Sequence, residues 1–241
     1  MRKPSTQYPM QLPFFDNANT YKFVVFIMTN FIPIFPLGIV VYPGESLNLH
    51  IFEPRYKQLI HECKAESKPF GIPAVINNEV QEFGTLVELK EIVHVQDNGE
   101  MDISTVGTTV FRVLEIIKTV PDKLYSGAIV NYPQNHLHTG KAELMKKVVS
   151  AVRELHKLLK ITKDFHKVDT ELSAYDIAHH AGLSLDEEYE LLKLLREEQR
   201  QEYLKRHLSR VLPVIAQMET LKEKVKLNGH FKNLSSFRFE E

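Results

Sequence analysis

The apolar residues of this chain repeat on two different periods, and the change between them falls in one short polar stretch. From Phe31 to about Pro133 they come in short runs and alternations broken by Pro and Gly, the pattern of strands and turns. From Lys141 onward they recur every three or four residues, as on the buried face of a helix. Pro133–Gly140 lies between, so the boundary between a β part (28–133) and a helical part (141–228) belongs there. The fold class expected is α+β, with a flexible tail over 229–241.

Within the β part, Leu47, Leu49 and Ile51 alternate with Ser46, Asn48 and His50, the period of a half-buried strand. Glu53-Pro54 then starts a short helix to about Lys64, with Pro at the first helical position and Tyr56, Leu59, Ile60 and Cys63 on its inner face. Strands are expected over Phe70–Ile76, Gly84–Gln96, Met101 to about Lys118 and Leu124–Tyr132. Asp97-Asn98-Gly99 supplies the Asn-Gly pair of a tight antiparallel hairpin, and Gly107 interrupts its strand as a bulge or bend would.

In the helical part, Leu144, Val148, Val152, Leu155 and Leu159 predict an amphipathic helix over Lys141–Lys160. Ser173 caps a second, short helix ending near Gly182, and Ser184 caps a third whose first turn is acidic, at the favourable end of the helix dipole. That third helix is expected to run on through the wholly polar stretch Arg196–Glu202 to about Leu227, long and partly exposed, with a kink or break near Leu212 because Pro213 cannot donate its backbone hydrogen bond.

Charge and cysteine content narrow the function classes. Thirty Lys and Arg against 31 Asp and Glu leave no net field to gather phosphate backbones, so nucleic acid is a poor first partner. The lone Cys63 suits a reducing compartment and hence the cytoplasm, and it reads as a core residue rather than a nucleophile. The apolar run from Tyr21 to Val41 is interrupted by Thr29, Asn30, Pro33, Pro36 and Gly38, which argues against a membrane span. Residues 1–27 are expected to be disordered or to precede the true start at Met28.

The segment Ile34-Phe-Pro-Leu-Gly-Ile-Val-Val-Tyr-Pro-Gly-Glu-Ser-Leu-Asn-Leu-His-Ile-Phe-Glu-Pro-Arg-Tyr56 resembles the opening motif of Lon protease amino-terminal domains. The positions that carry the likeness are Pro36, Leu37, Val40, Pro43, Gly44, Leu47, Leu49, Ile51, Glu53, Arg55 and Tyr56. Gly84-Thr85, the Asp97–Gly99 turn and Gly107 with Phe111-Arg-Val113 resemble a second, weaker signature, and the likeness spans about Met28 to Asn228. It implies a PUA-like pseudo β-barrel followed by a helical bundle, in a bacterial, cytoplasmic protein tied to proteolysis that recognises polypeptides rather than cleaving them. Of the motif residues, Pro36, Leu37, Pro43, Gly44, Leu49, Ile51, Glu53, Arg55 and Tyr56 are the candidate binding positions. Each also has a structural reading: Pro43-Gly44 turns the chain, Glu53 and Arg55 form an ion pair or satisfy backbone groups, and Tyr56 fills apolar space.

Other chemistries find little support. Gly140-Lys141 lacks the preceding Gly and following Ser or Thr of a phosphate loop, and no Ser-Lys dyad is signalled. His136-Leu-His138 and His179-His180 lack the spacing of a tetrahedral metal set, and neighbouring helical residues point about 100° apart. Asp176–Tyr189 has helix-turn-helix spacing, yet Asp186, Glu187 and Glu188 would repel phosphates. The expectation is a free-standing, non-catalytic module without metal or cofactor. It would take unfolded or apolar polypeptide in a groove between barrel and helices, through exposed apolar side chains and strand addition, with a protease or chaperone as onward partner. The alternatives are an RNA-binding or RNA-modification accessory of PUA-like fold, and an assembly protein that self-associates through its long last helix.

Overall fold

A computed structural model describes residues 29–162 and 165–231. Six strands form one antiparallel sheet: β1 Thr29–Pro33, β2 Ser46–Ile51, β3 Phe70–Ile76, β4 Glu79–Val95, β5 Met101–Ile117 and β6 Gly127–Asn131. Their order is β1-β6-β5-β4-β3, with β2 paired to the first part of β5, Met101–Val106, opposite β4. The sheet curls without closing in a continuous ladder. Isolated parallel bridges, Ile34 to Gly71 and Leu37 to Ala74, draw the chain after β1 against β3, so the expected pseudo-barrel is present as a curled sheet that is not closed.

Two devices set the curl. Gly107 pairs with Val87 where the register slips by one residue, so Thr108 is the extra residue of a bulge. A Cβ at Gly107 would stand 2.3 Å from the Tyr42 carbonyl oxygen, so only glycine lets the chain before β2 approach β5 there. The Asp97–Gly99 hairpin forms as expected, closed by Gln96 N–H donating to the Glu100 carbonyl at 2.7 Å. A second tight hairpin was also written in the sequence, since Asn77 and Asn78 both take positive φ between β3 and β4. It lets β4 start at Glu79, five residues before the expected Gly84. Strand β6 starts later than expected, at Gly127, because Lys123 and Tyr125 are held in a turn by Glu62 of the first helix.

The helices are α1 Pro54–Glu66, α2 Ala142–Leu159, α3 Ala174–Ile177, α4 Leu185–Lys193 and α5 Glu197–Phe231. Helix α1 seals one side of the sheet over Phe35, Val41, Ile51, Phe70, Met101 and Ile103. The other side, through Val40, Tyr42, Ala74, Ile76 and Val110, shares a core with α2–α5. Val40, Val41 and Tyr42 thus face alternately into two cores, as consecutive extended residues must. Capping boxes at Ser173 with Asp176 and Ser184 with Glu187 start α3 and α4.

The helix expected to run unbroken from Ser184 is in fact two. It stops at Lys193, Leu194 turns extended, and α5 starts at Glu197. The chain after β6 takes the freed groups: His136 N–H donates to the Leu195 carbonyl (2.7 Å), and Glu197 N–H donates to the His136 carbonyl (3.0 Å). The wholly polar stretch Arg196–Glu202 holds the most buried charge among the described residues. Arg200 is fully buried, with Glu197 and Gln201 each 3 % exposed. Its guanidinium donates to Glu197 (2.9 Å), Asn135 (2.9 Å), the Tyr175 hydroxyl (3.2 Å) and the carbonyls of Leu194 (2.7 Å) and His136 (3.1 Å).

Pro213 does not break α5, which runs on to Phe231 and so past the expected tail boundary at 229. Its position is exposed, so water can serve the carbonyl one turn earlier. Among the described residues no helix is long and apolar enough to cross a membrane. The expectations for residues 1–27 and 232–241 lie outside the described residues.

Because Arg200 neutralises a carboxylate buried with it, Arg200→Met leaves Glu197 charged and uncompensated. Loss of a buried partner of this kind costs about 3–5 kcal/mol. Urea unfolding of Arg200→Met should show a loss in that range, and a change below about 1 kcal/mol would contradict the assigned role.

Candidate functional site

A groove of about 830 Å³ opens between the turn that leads into β2 and the helical part. Pro43, Gly44, Glu45 and Ser46 form one wall; the other comes from the end of α2, the loop after it, and α3. The turn is rigid for local reasons. Gly44 has φ +86°, Glu45 N–H donates to the Tyr42 carbonyl (3.1 Å), and the Glu45 carboxylate accepts back from Tyr42 N–H (2.9 Å). Gly44 N–H and the Glu45 carbonyl both bond Gly107, so the bulge in β5 holds the turn in place.

The floor is apolar: Leu155, Leu172 and Tyr175 are buried, and Phe165 lies edge-on to His180 at 5.3 Å. Leu159 and Ile161 leave 43 % and 44 % of their surface in solvent at the rim, enough to contact an incoming apolar group. Tyr175 stacks on Tyr42 with ring centroids 5.0 Å apart, which joins the floor to the barrel. Burial raises the Tyr42 phenol, and its hydroxyl donates to the Glu188 carbonyl at 3.0 Å.

Charges at the rim are bound to one another. His179 Nδ1 is 2.7 Å from Glu188 and its Nε2 is 3.2 Å from Glu45, so one imidazole ties the barrel turn to α4. Burial pulls the His179 pKa down, but the hydrogen bonds to Glu188 and Glu45 outweigh it and lift it to about 9. Lys167 pairs with Asp176 at 2.6 Å. Burial pushes Asp176 up, and bonds from Lys167 and from the Ser173 backbone and hydroxyl more than offset it, leaving Asp176 below the usual carboxylate range. Among the described residues no group of three or more His, Cys, Asp and Glu side chains is placed to hold a metal ion.

Of the candidate binding positions, only Pro43 and Gly44 line this groove. Ile51 is buried under α1 and Tyr56 on the inner face of that helix, stacked on Phe35 at 3.8 Å, and Leu37 and Leu49 pack against the same cluster. Pro36 sits half-buried where the chain bridges to β3. Glu53 and Arg55 pair at 2.8 Å on α1, with the guanidinium 4.4 Å from the Tyr56 ring centre. Sequence reasoning missed Glu45, although it follows the Pro-Gly turn directly. It also missed the end of α2, because what Leu155 and His156 face, namely Phe165, His180 and Gly182, depends on how the chain folds back after the helix and not on the helix's own apolar period.

The family model of the ATP-dependent protease La (LON) substrate-binding domain matches residues 32–210. The chain belongs to the Lon substrate-binding domain family. Two solved structures share the fold. A Lon N-terminal domain protein from Xanthomonas campestris is 23% identical, with a TM-score of 0.56 over 73% of this chain and 96% of that one. The N-terminal domain of the Mycobacterium avium complex Lon protease is 13% identical, with a TM-score of 0.54 over 75% and 98%. In this member of the Lon family, the Pro-Gly turn of the opening motif is thus the part of that motif that meets the groove.

Since the folded pKa of His179 lies above its ordinary value of 6.5, its contribution to stability is full below about 6.5 and is lost as pH rises through about 9. Wild-type protein should lose stability over that interval and His179→Gln should lose less. In an NMR titration, a His179 midpoint at or below 6.5 would contradict the bridging geometry.

Proposed function

We propose that this protein is a non-catalytic recognition module that holds extended, apolar polypeptide segments in the groove between the Pro43–Ser46 turn and the helices. The observation that carries the reading is the composition of that groove, an apolar floor inside a rim of paired charges, in a chain of the substrate-binding family. Its volume falls within the roughly 300–1,000 Å³ of ordinary binding clefts. A floor of Leu155, Leu172 and Tyr175 rewards buried apolar side chains without demanding a sequence, because apolar burial is non-directional. Binding the rim charges to one another, His179 to Glu45 and Glu188 and Lys167 to Asp176, keeps the unoccupied groove soluble and leaves only one carboxylate in excess, too weak a field to select a partner. The fitting partners are unfolded segments in the cytoplasm, passed on to a protease or chaperone.

Titrating the protein into a labelled polypeptide, once native and once denatured and S-alkylated, with an RNA oligomer in parallel, tests this by anisotropy. The denatured form should bind saturably and the native form should not. Leu159→Glu with Ile161→Glu should weaken that binding about tenfold or more while leaving the circular dichroism spectrum unchanged, since both side chains are at the rim. Binding to RNA alone, falling steeply with salt, would instead favour an RNA-binding accessory.

A further inference from the structure

The barrel wall of the groove runs directly into β2, and the pairing of β2 with β5 decides where its backbone points. Gly107 N–H donates to the Glu45 carbonyl (2.8 Å) and the Thr105 hydroxyl donates to the Leu47 carbonyl (2.9 Å), on a register from Ser46 with Val106 to Ile51 with Met101. Residues 45 and 47, and by alternation 49 and 51, therefore turn their backbone groups toward β5. The N–H and C=O groups of Ser46, Asn48 and His50 turn the other way, and none of them has a backbone partner among the described residues.

Open sheet edges are normally blunted, and the other two outer strands here are. At β1, Ile34 N–H bonds Ser126 toward β6, so the alternate positions Phe31 and Pro33 face outward, and Pro33 has no N–H to offer. At β3, the Gly71 and Pro73 carbonyls accept from Phe35 (2.8 Å) and Leu37 (3.3 Å), and Val75 N–H donates to the Leu37 carbonyl (2.8 Å). Among the described residues strand β2 has neither a proline nor a covering segment. Its six residues carry no lysine, and Ser46, Asn48 and His50 are exposed.

We propose that the outer edge of β2 is a strand-addition site, where an extended polypeptide pairs its backbone with Ser46, Asn48 and His50 as it leaves the groove. This rests on the groove's being a polypeptide site, and it names the way the chain is held. An added strand of five or six residues spans about 17–20 Å. Backbone pairing reads no side chains, so it holds unrelated sequences alike provided they are extended, while the adjoining floor takes an apolar side chain. A folded protein, whose backbone groups are already paired, is excluded.

The test uses a labelled soluble peptide of alternating leucine and serine and two N-methylated forms, one blocked at every leucine nitrogen and one at every serine nitrogen. Alternate N–H groups of a strand point to opposite edges, so one form should bind about tenfold or more weakly and the other like the parent. Equal affinity of the two forms, whether both retained or both weakened, overturns strand addition and leaves the groove reading standing. Failure of the unmodified peptide to bind overturns both. Asn48→Pro, which removes an outward N–H only, should weaken the parent peptide by a similar factor; if that variant does not fold, the methylated pair decides alone.

Discussion

The placement of the helices on the sheet depends on one buried cation. Arg200 gives its guanidinium to five acceptors drawn from the chain after β6, from α3, from the end of α4 and from the first turn of α5. Taking a charge out of water costs several kcal/mol, and that cost is offset only where a counter-charge and full hydrogen bonding are supplied together. Glu197 supplies the first and also accepts the Ala174 N–H at 2.7 Å, so the acid that neutralises Arg200 fixes the start of α3 as well. The segment between sheet and helices is therefore held, not hinged: Gln201 accepts from Lys141 N–H at 2.9 Å and packs against Gly140.

From this knot a line of contacts leads to the groove. The Arg200 guanidinium lies 4.2 Å from the Tyr175 ring centre, Tyr175 stacks on Tyr42, and Tyr42 N–H is bound by the Glu45 carboxylate at the tip of the Pro-Gly turn. His179 closes the loop from the far side by bridging Glu45 and Glu188. Both walls of the groove are thus set by interactions that would persist without a ligand. A preformed apolar floor is what the proposed selectivity for unfolded chains would require, because ordering costs are met before binding.

Much of the fold was legible from local rules. The alternation Leu47-Leu49-Ile51, the Asp97–Gly99 turn and the capping serines 173 and 184 each need only a few neighbouring residues, and each forms as the local chemistry dictates. What escaped depends on distant partners. Arg196–Glu202 reads only as a wholly polar part of a long, partly exposed helix, because nothing nearby announces that Asn135, His136 and Tyr175 will surround Arg200. The same distant contacts end α4 where no Pro or Gly stands, while Pro213, a strong local breaker, sits on an exposed part of α5 and breaks nothing. For the site, the opening motif pointed to Pro43 and Gly44, but Ile51, Glu53, Arg55 and Tyr56 serve α1 and its core instead, and the opposite wall was invisible until α2 and α3 were placed.

The central claim is that unfolded polypeptide lies in the groove and along the strand that continues it. Backbone hydrogen exchange of the whole protein, measured with and without a saturating denatured, S-alkylated polypeptide, tests this most directly, because exchange reports each segment separately. The account predicts slowed exchange over residues 43–51 and 155–182, with residues 90–100 of the β4–β5 hairpin unchanged. Slowed exchange confined to the exposed outer half of α5 around Val214–Val225, or to the hairpin, would contradict it.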